Sequence, residues 1–430
     1  MNVVSTRGRV PAVSISAALA AGLAPDGGLY VPECLPRLDP DDFEGGDLAA
    51  VASRLLQAFF AGDVLADNVP AICAAALDLP TPVRALHGPG DHLLELFHGP
   101  TAAFKDFGAR FLARCLAALR PQCATPLTIL VATSGDTGAA VAAAFHRLPG
   151  FRVVILYPEG RVSARQAHQM GAFGENVRAF AVAGSFDDCQ ALAKRALNDA
   201  ELQRRVPLSS ANSISLGRLL PQMAYYAHAA LGHWREHGRA PGFIVPTGNL
   251  GNALACVLVR DIGLPVGDIV LATNANRTLA EFFDGDDYRA RASVATLANA
   301  MDVGAPSNFE RLRWWYPDDS ALRRTLRVER VEDGAIRDVV SNAVERHGVV
   351  PCPHTATALC ALERLRARGD TGDWIAVATA HPAKFDEIVE PLIGMPVRVP
   401  ETLAALLARP SQAFALANTS EALRRVVGAW

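Results

Sequence analysis

From about residue 100 onward, short apolar runs rich in β-branched residues alternate with longer stretches of helical character. Such runs are typical of buried strands, and their alternation with helices predicts strand–helix–strand units around a parallel sheet. The clearest units begin at the predicted strands 127–132 and 243–246, each followed by a glycine-rich turn and a helix. More than any other feature, this alternation limits the chain to the α/β class.

The composition indicates a globular chain without a general affinity for nucleic acid. Of 430 residues, 50% are apolar and 20% are charged, which permits a sizeable core and excludes extended disorder. This length corresponds to two or three domains. The 41 basic and 44 acidic residues give a net charge of −3, and aromatic residues make up only 7%. A nucleic-acid partner would favour a basic surface and more aromatic stacking groups.

Cysteine spacing and hydropathy indicate the cellular compartment of the protein. The eight cysteines form no C-x-x-C pair and no Cys/His cluster with zinc spacing, so we expect reduced thiols in a cytoplasmic protein and no metal. Residues 10–25 are rich in Ala, Ser and Gly, which is not typical of a signal peptide. No stretch approaches the roughly 20 apolar residues of a membrane helix, so we expect no membrane partner.

Lysine is scarce, which limits where a reactive amine can lie. Only Lys105, Lys194 and Lys384 are present, and the remaining 38 of the 41 basic residues are arginine. Lys105 follows a Gly-Pro turn in the segment 98–108 (HGPTAAFKDFG) and starts an apolar helical stretch. It is either a lysine that reaches solvent at a helix end, or a buried amine with a lowered pKa that is suited to a Schiff base. Lys194 and Lys384 have charged neighbours in sequence and are expected to be solvated.

Two glycine-rich turns, each between a predicted strand and a helix, could hold anions. Residues 133–138 (TSGDTG) and 246–252 (PTGNLGN) would bring backbone N–H groups to a helix N-terminus, where the potential favours negative charge. The second turn is not the G-x-G-x-x-G dinucleotide fingerprint, and it lacks the Gly-Lys-Ser/Thr of a nucleotide-phosphate loop. The first turn could also be an ordinary strand–helix connection with Asp136 or Thr137 as the N-cap.

A hydroxyl residue follows the last predicted strand. Thr379, in the segment 378–385 (ATAHPAKF), would lie at the carboxyl edge of a sheet, where open α/β sheets bind ligands. His381 is interpreted as a helix-start or packing residue. An amine, two anion-binding turns and a strand-end hydroxyl together fit a pyridoxal phosphate enzyme. The amine would form an imine with the cofactor, the turns would hold the cofactor phosphate and a substrate carboxylate, and the hydroxyl would bind the pyridine nitrogen.

The combination of motifs resembles one enzyme family. HGPTAAFKDFG, ATSGDTG, the Asn212-Ser-Ile stretch with Arg218, PTGNLGN and TAHPAKF occur in the order found in threonine synthases. The N-terminal APDGGLYVPE and residues 299–302 (NAMD) fit that family too, and the similarity runs from about residue 5 to residue 396. The resemblance implies an α/β, two-domain fold of type II, similar to the tryptophan synthase β subunit, with pyridoxal phosphate between the domains.

The resemblance also implies domain boundaries and a reaction. We expect an N-terminal α/β subdomain over residues 1–95, a domain with the cofactor lysine and the substrate-carboxylate loop over 96–235, and a C-terminal domain with the cofactor-phosphate loop over 236–430. The implied reaction converts O-phospho-L-homoserine and water to L-threonine and phosphate, in a monomer or homodimer. The alternatives are a serine/threonine dehydratase with the same fold and a non-catalytic protein that binds a phosphate ligand.

Carried over residue by residue, the resemblance implies roles at the site. Lys105 carries the cofactor and removes the substrate's α proton, and Thr379 contacts the pyridine nitrogen. Asp136 lies near the cofactor ring hydroxyl, where a carboxylate would need a proton or a partner. The implied cofactor-phosphate loop comprises Gly248, Asn249, Leu250, Gly251 and Asn252. The implied substrate-binding residues are Ser134, Gly135, Thr137, Asn212 and Ser213, with Arg161, Arg165 and Arg218 as candidates for the substrate phosphate.

Overall fold

A computed structural model of the chain describes residues 1–120 and 125–429, which form three sheets surrounded by helices. The strands are β1 (Asn2–Ser5), β2 (Val13–Ser14), β3 (Tyr30–Pro32), β4 (Val83–Ala85), β5 (Asp91–Glu95), β6 (Leu127–Ala132), β7 (Phe151–Pro158), β8 (Val177–Val182), β9 (Leu208–Ser210), β10 (Gly242–Pro246), β11 (Ile269–Thr273), β12 (Arg327–Arg330), β13 (Trp374–Ala378) and β14 (Ala413–Leu416).

The helices lie between and around these strands. They are α1 (Ile15–Ala21), α2 (Leu48–Phe59), α3 (Val69–Ala76), α4 (Lys105–Leu119), α5 (Asp136–Phe145), α6 (Ala164–Gly171), α7 (Phe186–Leu197), α8 (Ala200–Arg205), α9 (Leu216–Leu219), α10 (Gln222–His237), α11 (Gly251–Asp261), α12 (Thr278–Phe283), α13 (Phe309–Trp315), α14 (Asp319–Thr325), α15 (Asp333–His347), α16 (Pro353–Ala367), α17 (Asp386–Ile393), α18 (Glu401–Leu407) and α19 (Ser420–Gly428). In the described residues, no helix is both long and apolar enough to cross a membrane.

The five-stranded sheet is wholly parallel, in the order β14-β8-β7-β6-β9. Every residue of β6 is buried, and its side chains alternate between two cores. Ile129 and Val131 pack in the core that contains α4 and α5, whereas Leu130 and Ala132 pack in the core that contains α7 and α19. A parallel strand covered by helices on both faces requires such a continuous apolar run.

The six-stranded sheet has the order β12-β11-β10-β13-β5-β4 and is parallel except for the edge strand β4. Side chains again alternate: Phe243 and Val245 of β10 lie in the core that contains residues of α2, α10 and α11, while Ile244 lies in the core that contains residues of α15 and α16. A small antiparallel sheet, β2-β1-β3, lies at the N-terminus. The parallel-rich sheets confirm the α/β class.

Neither large sheet is built from one continuous stretch of chain. The strands β4 and β5 precede residue 96 but pair beside β13, and β14 near the C-terminus pairs with β8. The predicted boundaries at 95/96 and 235/236 stay a prediction, and the sheets themselves cross both of them.

Most predicted elements lie within a few residues of the observed ones, and a proline divides one of them. The sequence of residues 212–231 predicts a helix that is broken or starts near Pro221, and the structure has the short helix α9 followed by α10, with Pro221 as the N-cap of α10. Proline lacks an N–H and is compatible with a helix start but not with a helix interior. Of the eight cysteines, Cys123 lies outside the described residues, and the other seven are free thiols, as expected.

Candidate active site

The site lies where the carboxyl ends of strands from both large sheets come together. The segments that follow β5, β10 and β13 meet those that follow β6 and β9, and two adjoining cavities lie between them. The first cavity is lined by Ser134 and Thr137 of the turn 133–138, and the second is lined by the turn 247–252. Four residues line both cavities: Lys105, Ser213, Asn249 and Ala300.

Lys105 is the first residue of α4 and lies between the two cavities. The N–H of Phe104 donates to the carbonyl of Thr379 (2.9 Å), which attaches this segment to the end of β13. The Lys105 ammonium nitrogen lies 4.6 Å from the centroid of the Phe104 ring. Burial lowers the pKa of Lys105 to about 8, and the positive charge of Arg218 acts in the same direction. Of the two interpretations, the structure therefore favours an amine with a lowered pKa over a lysine that reaches solvent.

The turn 247–252 contains one glycine with no room for a side chain, Gly248, and one with room for a Cβ, Gly251. A Cβ on Gly248 would lie 2.7 Å from the Cα of Met301, so the turn lies directly against backbone at this point. Gly251 starts α11, and a Cβ there would find its nearest neighbouring atom at 3.4 Å. Leu250 precedes the helix in the left-handed conformation, with φ of 62°. Because the first N–H groups of a helix have no intrahelical acceptor, this turn offers donors to an anion.

Two residues of the second cavity carry buried donor atoms with no acceptor among the described residues. Asn252 accepts hydrogen bonds from the hydroxyls of Tyr225 (2.5 Å) and Tyr226 (2.8 Å), while its Nδ2 is unpaired. Arg218 donates to the Ala211 carbonyl, while its Nε is unpaired. Burial lowers the pKa of Arg218 to about 10, which leaves it charged at neutral pH. Unsatisfied donors beside a helix N-terminus fit a bound phosphate.

Thr379 and His354 also line the second cavity, and both are buried. Nε2 of His354 accepts a hydrogen bond from the N–H of Ala300 (3.0 Å), which sets the orientation of the imidazole. Burial lowers the pKa of His354 to about 4, so the ring is neutral at neutral pH. His354 is not predicted by the sequence pattern, because the proline before it indicates only a helix start.

The first turn is held together by one hydroxyl and one glycine. Oγ1 of Thr133 accepts hydrogen bonds from the N–H groups of Gly135 (3.0 Å) and Gly138 (3.1 Å). Gly135 has a φ of 142°, and a Cβ there would lie 2.4 Å from Nε2 of Gln166, so only glycine fits. Asp136 is the first residue of α5, and Gly135 is its N-cap. The alternative that Asp136 or Thr137 caps this helix is therefore wrong.

Asp136 has a cationic partner, and that partner is Lys384. The two form an ion pair of 2.7 Å, and Lys384 Nζ also donates to the carbonyl of Thr101 (2.9 Å). Gln166 donates to Asp136 as well (3.0 Å). Burial acts to raise the pKa of Asp136, but Lys384, His354 and Gln166 together outweigh it and hold the pKa at about 2. The expectation that Lys384 is solvated is wrong, since its side chain is fully buried.

The structure brings one of the three candidate arginines to the cavities. Arg218 lines the second cavity, beside the turn 247–252. Arg165 instead pairs with the carboxylate of Asp386 (2.9 Å) and donates to a backbone carbonyl, and Arg161 is exposed. Within the described part of the chain, neither Arg161 nor Arg165 lines either cavity.

The first cavity contains most of the remaining predicted residues and one unexpected cation. Asn212 bonds through its amide to both the N–H (3.1 Å) and the carbonyl of Ala132, so it joins the ends of β6 and β9. Lys194 of α7 is exposed, as expected, yet it lines this cavity. Apart from Lys105, it is the only lysine or arginine among the described residues of the lining. The available sequence signal was its position on the same face of α7 as Gln190 and Leu197, which also line the cavity.

Comparison with protein families covers almost the whole chain. Residues 77–382 match the family described as pyridoxal-phosphate dependent enzyme. Residues 2–77 match the threonine synthase N terminus, and residues 355–427 match the threonine synthase C-terminal family.

Individual relatives agree with these matches. The chain is 39% identical to the threonine synthase of Serratia marcescens and 37% identical to that of Escherichia coli, over 96% of each chain in both cases. The crystal structure of the E. coli threonine synthase superposes with a TM-score of 0.90 at 36% identity, covering 99% of both chains. The pyridoxal phosphate-bound threonine synthase of Brucella melitensis gives a TM-score of 0.89 at 33% identity, covering 100% of this chain and 99% of that one. The chain therefore belongs to the threonine synthase family of pyridoxal phosphate-dependent enzymes.

Proposed function

We propose that this enzyme converts O-phospho-L-homoserine and water to L-threonine and phosphate, with its cofactor attached at Lys105. The observation that carries the proposal is the position of Lys105, which lines both adjoining cavities. One cavity offers the donors that a cofactor phosphate needs, and the other offers a helix N-terminus and a lysine to a doubly anionic substrate. A single amine between two anion-binding cavities can contact both the cofactor and the substrate.

The second cavity suits the cofactor. We assign its phosphate to the turn 247–252, where the α11 N-terminus, Nδ2 of Asn252 and Nε of Arg218 are available as donors. Thr379 is assigned to the pyridine nitrogen. A neutral hydroxyl can hydrogen-bond that nitrogen without the full charge that a carboxylate would supply. When bound, pyridoxal phosphate supplies an electron sink for carbanion chemistry.

Lys105 is assigned two roles, as the covalent attachment point and as the base at the substrate's α carbon. Both roles need an uncharged amine during the reaction. Burial and the nearby Arg218 charge lower the pKa of Lys105 to about 8, so a usable fraction is neutral near physiological pH. An unperturbed lysine would be almost wholly protonated there.

Asp136 is assigned to the neighbourhood of the cofactor ring oxygen as a permanent anion. Its ion pair with Lys384 and its hydrogen bond from Gln166 keep it ionised and fix its orientation. The paired ammonium also balances its charge, so the pair presents little net charge to a neighbouring oxygen. Lys384 is thereby a positioning residue, acting on the site through Asp136.

The first cavity suits the substrate. We assign the substrate carboxylate to Ser134, Gly135 and Thr137, at the N-terminus of α5, where N–H donors and the helix dipole favour an anion. Ser213, which borders both cavities, is assigned to the same molecule.

For the substrate phosphate we propose Lys194, which lines the first cavity and has a free path to solvent. Arg161 and Arg165 stay predictions as phosphate ligands, but the position of Arg165 on Asp386 makes it the weaker choice. The expected oligomeric state, a monomer or a homodimer, stays a prediction.

The test is an assay of the purified holoenzyme with O-phospho-L-homoserine, following phosphate and L-threonine together. We expect equal amounts of both products, and no comparable turnover of L-homoserine, which lacks the charge and the leaving group. Deamination of L-serine or L-threonine without phosphate chemistry would identify a dehydratase instead. A colourless protein that binds phosphate and turns over none of these compounds would refute the enzymatic proposal.

A further inference from the structure

Three histidines come together at the edge of the six-stranded sheet opposite the active site. His92 is the second residue of β5, at the amino end of the strand, whereas Lys105 follows the carboxyl end of the same strand. His233 and His237 lie one turn apart on α10. Residues four apart on a helix share one face, so both imidazoles can face one point.

The three rings form a compact group, which we call the histidine cluster (His92, His233 and His237). One ring nitrogen of each histidine lies within 4.8 Å of those of the other two. The ring centroids of His233 and His237 are 4.3 Å apart, and those of His92 and His233 are 5.2 Å apart in an edge-to-face arrangement. Zinc–nitrogen bonds of about 2.0–2.1 Å would draw three nitrogens somewhat closer than this, which small side-chain rotations can provide.

The surroundings resemble the supporting contacts of a metal site. Nε2 of His233 lies 2.9 Å from Oδ2 of Asp373, a carboxylate that also accepts a hydrogen bond from Arg239 (2.6 Å). Because that oxygen can only accept, Nε2 carries the proton and Nδ1 retains its lone pair. Metal-binding histidines commonly donate their other N–H to a carboxylate in this way.

Two further observations point to a ligand. Nδ1 of His92 is buried and has no hydrogen-bond partner among residues 1–120 and 125–429. The side chain of His237 is 35% exposed, which gives an ion access from solvent.

We propose that the histidine cluster binds one divalent transition-metal ion of the zinc class. Three imidazoles and a solvent molecule complete the four-coordinate geometry that zinc adopts, and imidazole is a ligand that zinc, copper and nickel share. The ion would join α10 to β5 and would stabilise the folded chain without taking part in the reaction.

The probe is Zn²⁺ alone, titrated into holoenzyme that has been treated with a chelator and still holds its cofactor. Competition against a chromophoric chelator is expected to show one tight site per chain. Zinc should also raise the thermal unfolding temperature, since an ion that binds only the folded state stabilises it. Substituting Co²⁺ should produce the visible absorption of a four-coordinate ion with nitrogen ligands.

Variants identify the site. His237→Ala removes a partly exposed ligand and is expected to weaken zinc binding at least tenfold while leaving turnover unchanged. Asp373→Asn, which acts through His233, should weaken it by about 10–100-fold. His168→Ala is the matched control, because His168 lies on another helix and faces the Arg409 carbonyl. His92→Ala tests the buried ligand, and if that variant fails to fold, His237→Ala decides.

Two results would overturn the inference: the absence of a one-to-one zinc site in the parent, or a zinc affinity in His237→Ala equal to that of His168→Ala. Zinc that binds equally to all variants would lie elsewhere, for example at the exposed thiol of Cys34.

Discussion

The two glycine-rich turns share a strand–turn–helix arrangement but differ in the charges and free hydrogen-bond donors around them. Each follows a buried parallel strand and leads into a helix at the carboxyl edge of its sheet. The turn 247–252 contains no ionisable side chain, and the donors at Asn252 and the neighbouring Arg218 are unpaired in the described structure. The turn 133–138 contains Asp136, whose charge is already balanced by Lys384.

This difference shows that a glycine-rich turn at a helix N-terminus is not by itself an anion site. Such a turn suits an anion only where the hydrogen-bond donors around it have no other acceptor. The turn 247–252 has free donors and suits a dianion such as a phosphate. At the other turn the chain supplies its own anion, so what remains at Ser134 and Thr137 suits a singly charged carboxylate. The predictions below test this division, from the largest expected effect to the smallest.

Lys105 lies between the turns, so its loss should affect both. Lys105→Ala removes the attachment point and the base, and we expect activity to fall by at least about 10⁴-fold. Borohydride reduction of the parent followed by peptide mapping should place the cofactor on Lys105. An adduct on Lys194 or Lys384 would contradict the assignment, and the ion pair with Asp136 already makes Lys384 a poor nucleophile.

Lys384→Met should be the most destabilising change at the first turn. It leaves Asp136 buried without its cation, which typically costs about 3–5 kcal/mol. The loss, measured by denaturant unfolding, should shrink as the pH falls, because the pKa of the unpaired carboxyl rises above its unfolded value and protonation then relieves the cost.

The matched control is the double variant Lys384→Met with Asp136→Asn, which removes both charges and should recover much of the stability. If Lys384→Met alone costs less than about 1 kcal/mol, the ion pair does not support the turn.

Gly251→Asp should give the second turn a carboxylate like that of the first. The position has room for a Cβ, so Gly251→Ala is a steric control that should keep its cofactor. The added charge should repel the cofactor phosphate and weaken retention by roughly 30-fold, equivalent to about 2 kcal/mol. Equilibrium dialysis of the cofactor measures both variants, and equal affinities would show that this turn does not hold the phosphate.

Lys194→Met tests whether Lys194 binds the substrate phosphate in the first cavity. A charge-assisted contact with the substrate phosphate is worth about 1.5 kcal/mol at a site open to solvent, so KM should rise on the order of tenfold with cofactor content unchanged. Lys194→Arg should retain most of the affinity. Arg165→Met is the comparison variant. A larger increase in KM in that variant would indicate that Arg165, and not Lys194, binds the substrate phosphate.

The smallest expected effect is the pH dependence of cofactor attachment. Only the neutral amine of Lys105 can attack the cofactor, and its pKa of about 8 means that the neutral fraction rises with pH through that value. Attachment to cofactor-free enzyme, followed by absorbance, should accelerate about tenfold between pH 7 and pH 9. A rate that keeps rising steeply to pH 10 would indicate an unperturbed lysine.

The sequence predicted much of the backbone and part of the site. The strand 127–132 was predicted at its observed bounds and the strand 243–246 to within one residue, because continuous apolar runs between turn residues identify buried parallel strands. The burial of Lys384 was not predicted, since Asp386 and Glu387 beside it suggest a solvated helix start. His354 was likewise missed, because a histidine that follows a proline has no distinctive local pattern.

By itself, the sequence determined the α/β alternation, the two strand–turn–helix connections and the scarcity of amines. These depend on periodicity and backbone preference over a few neighbouring residues. Only the tertiary structure decided the partners of the charges: Asp136 with Lys384, Arg165 with Asp386, and Arg218 beside the turn 247–252. Those partners are far apart in sequence or lie on different elements. A buried charge selects its partner by distance in the folded chain, where the low dielectric makes an unpaired charge costly.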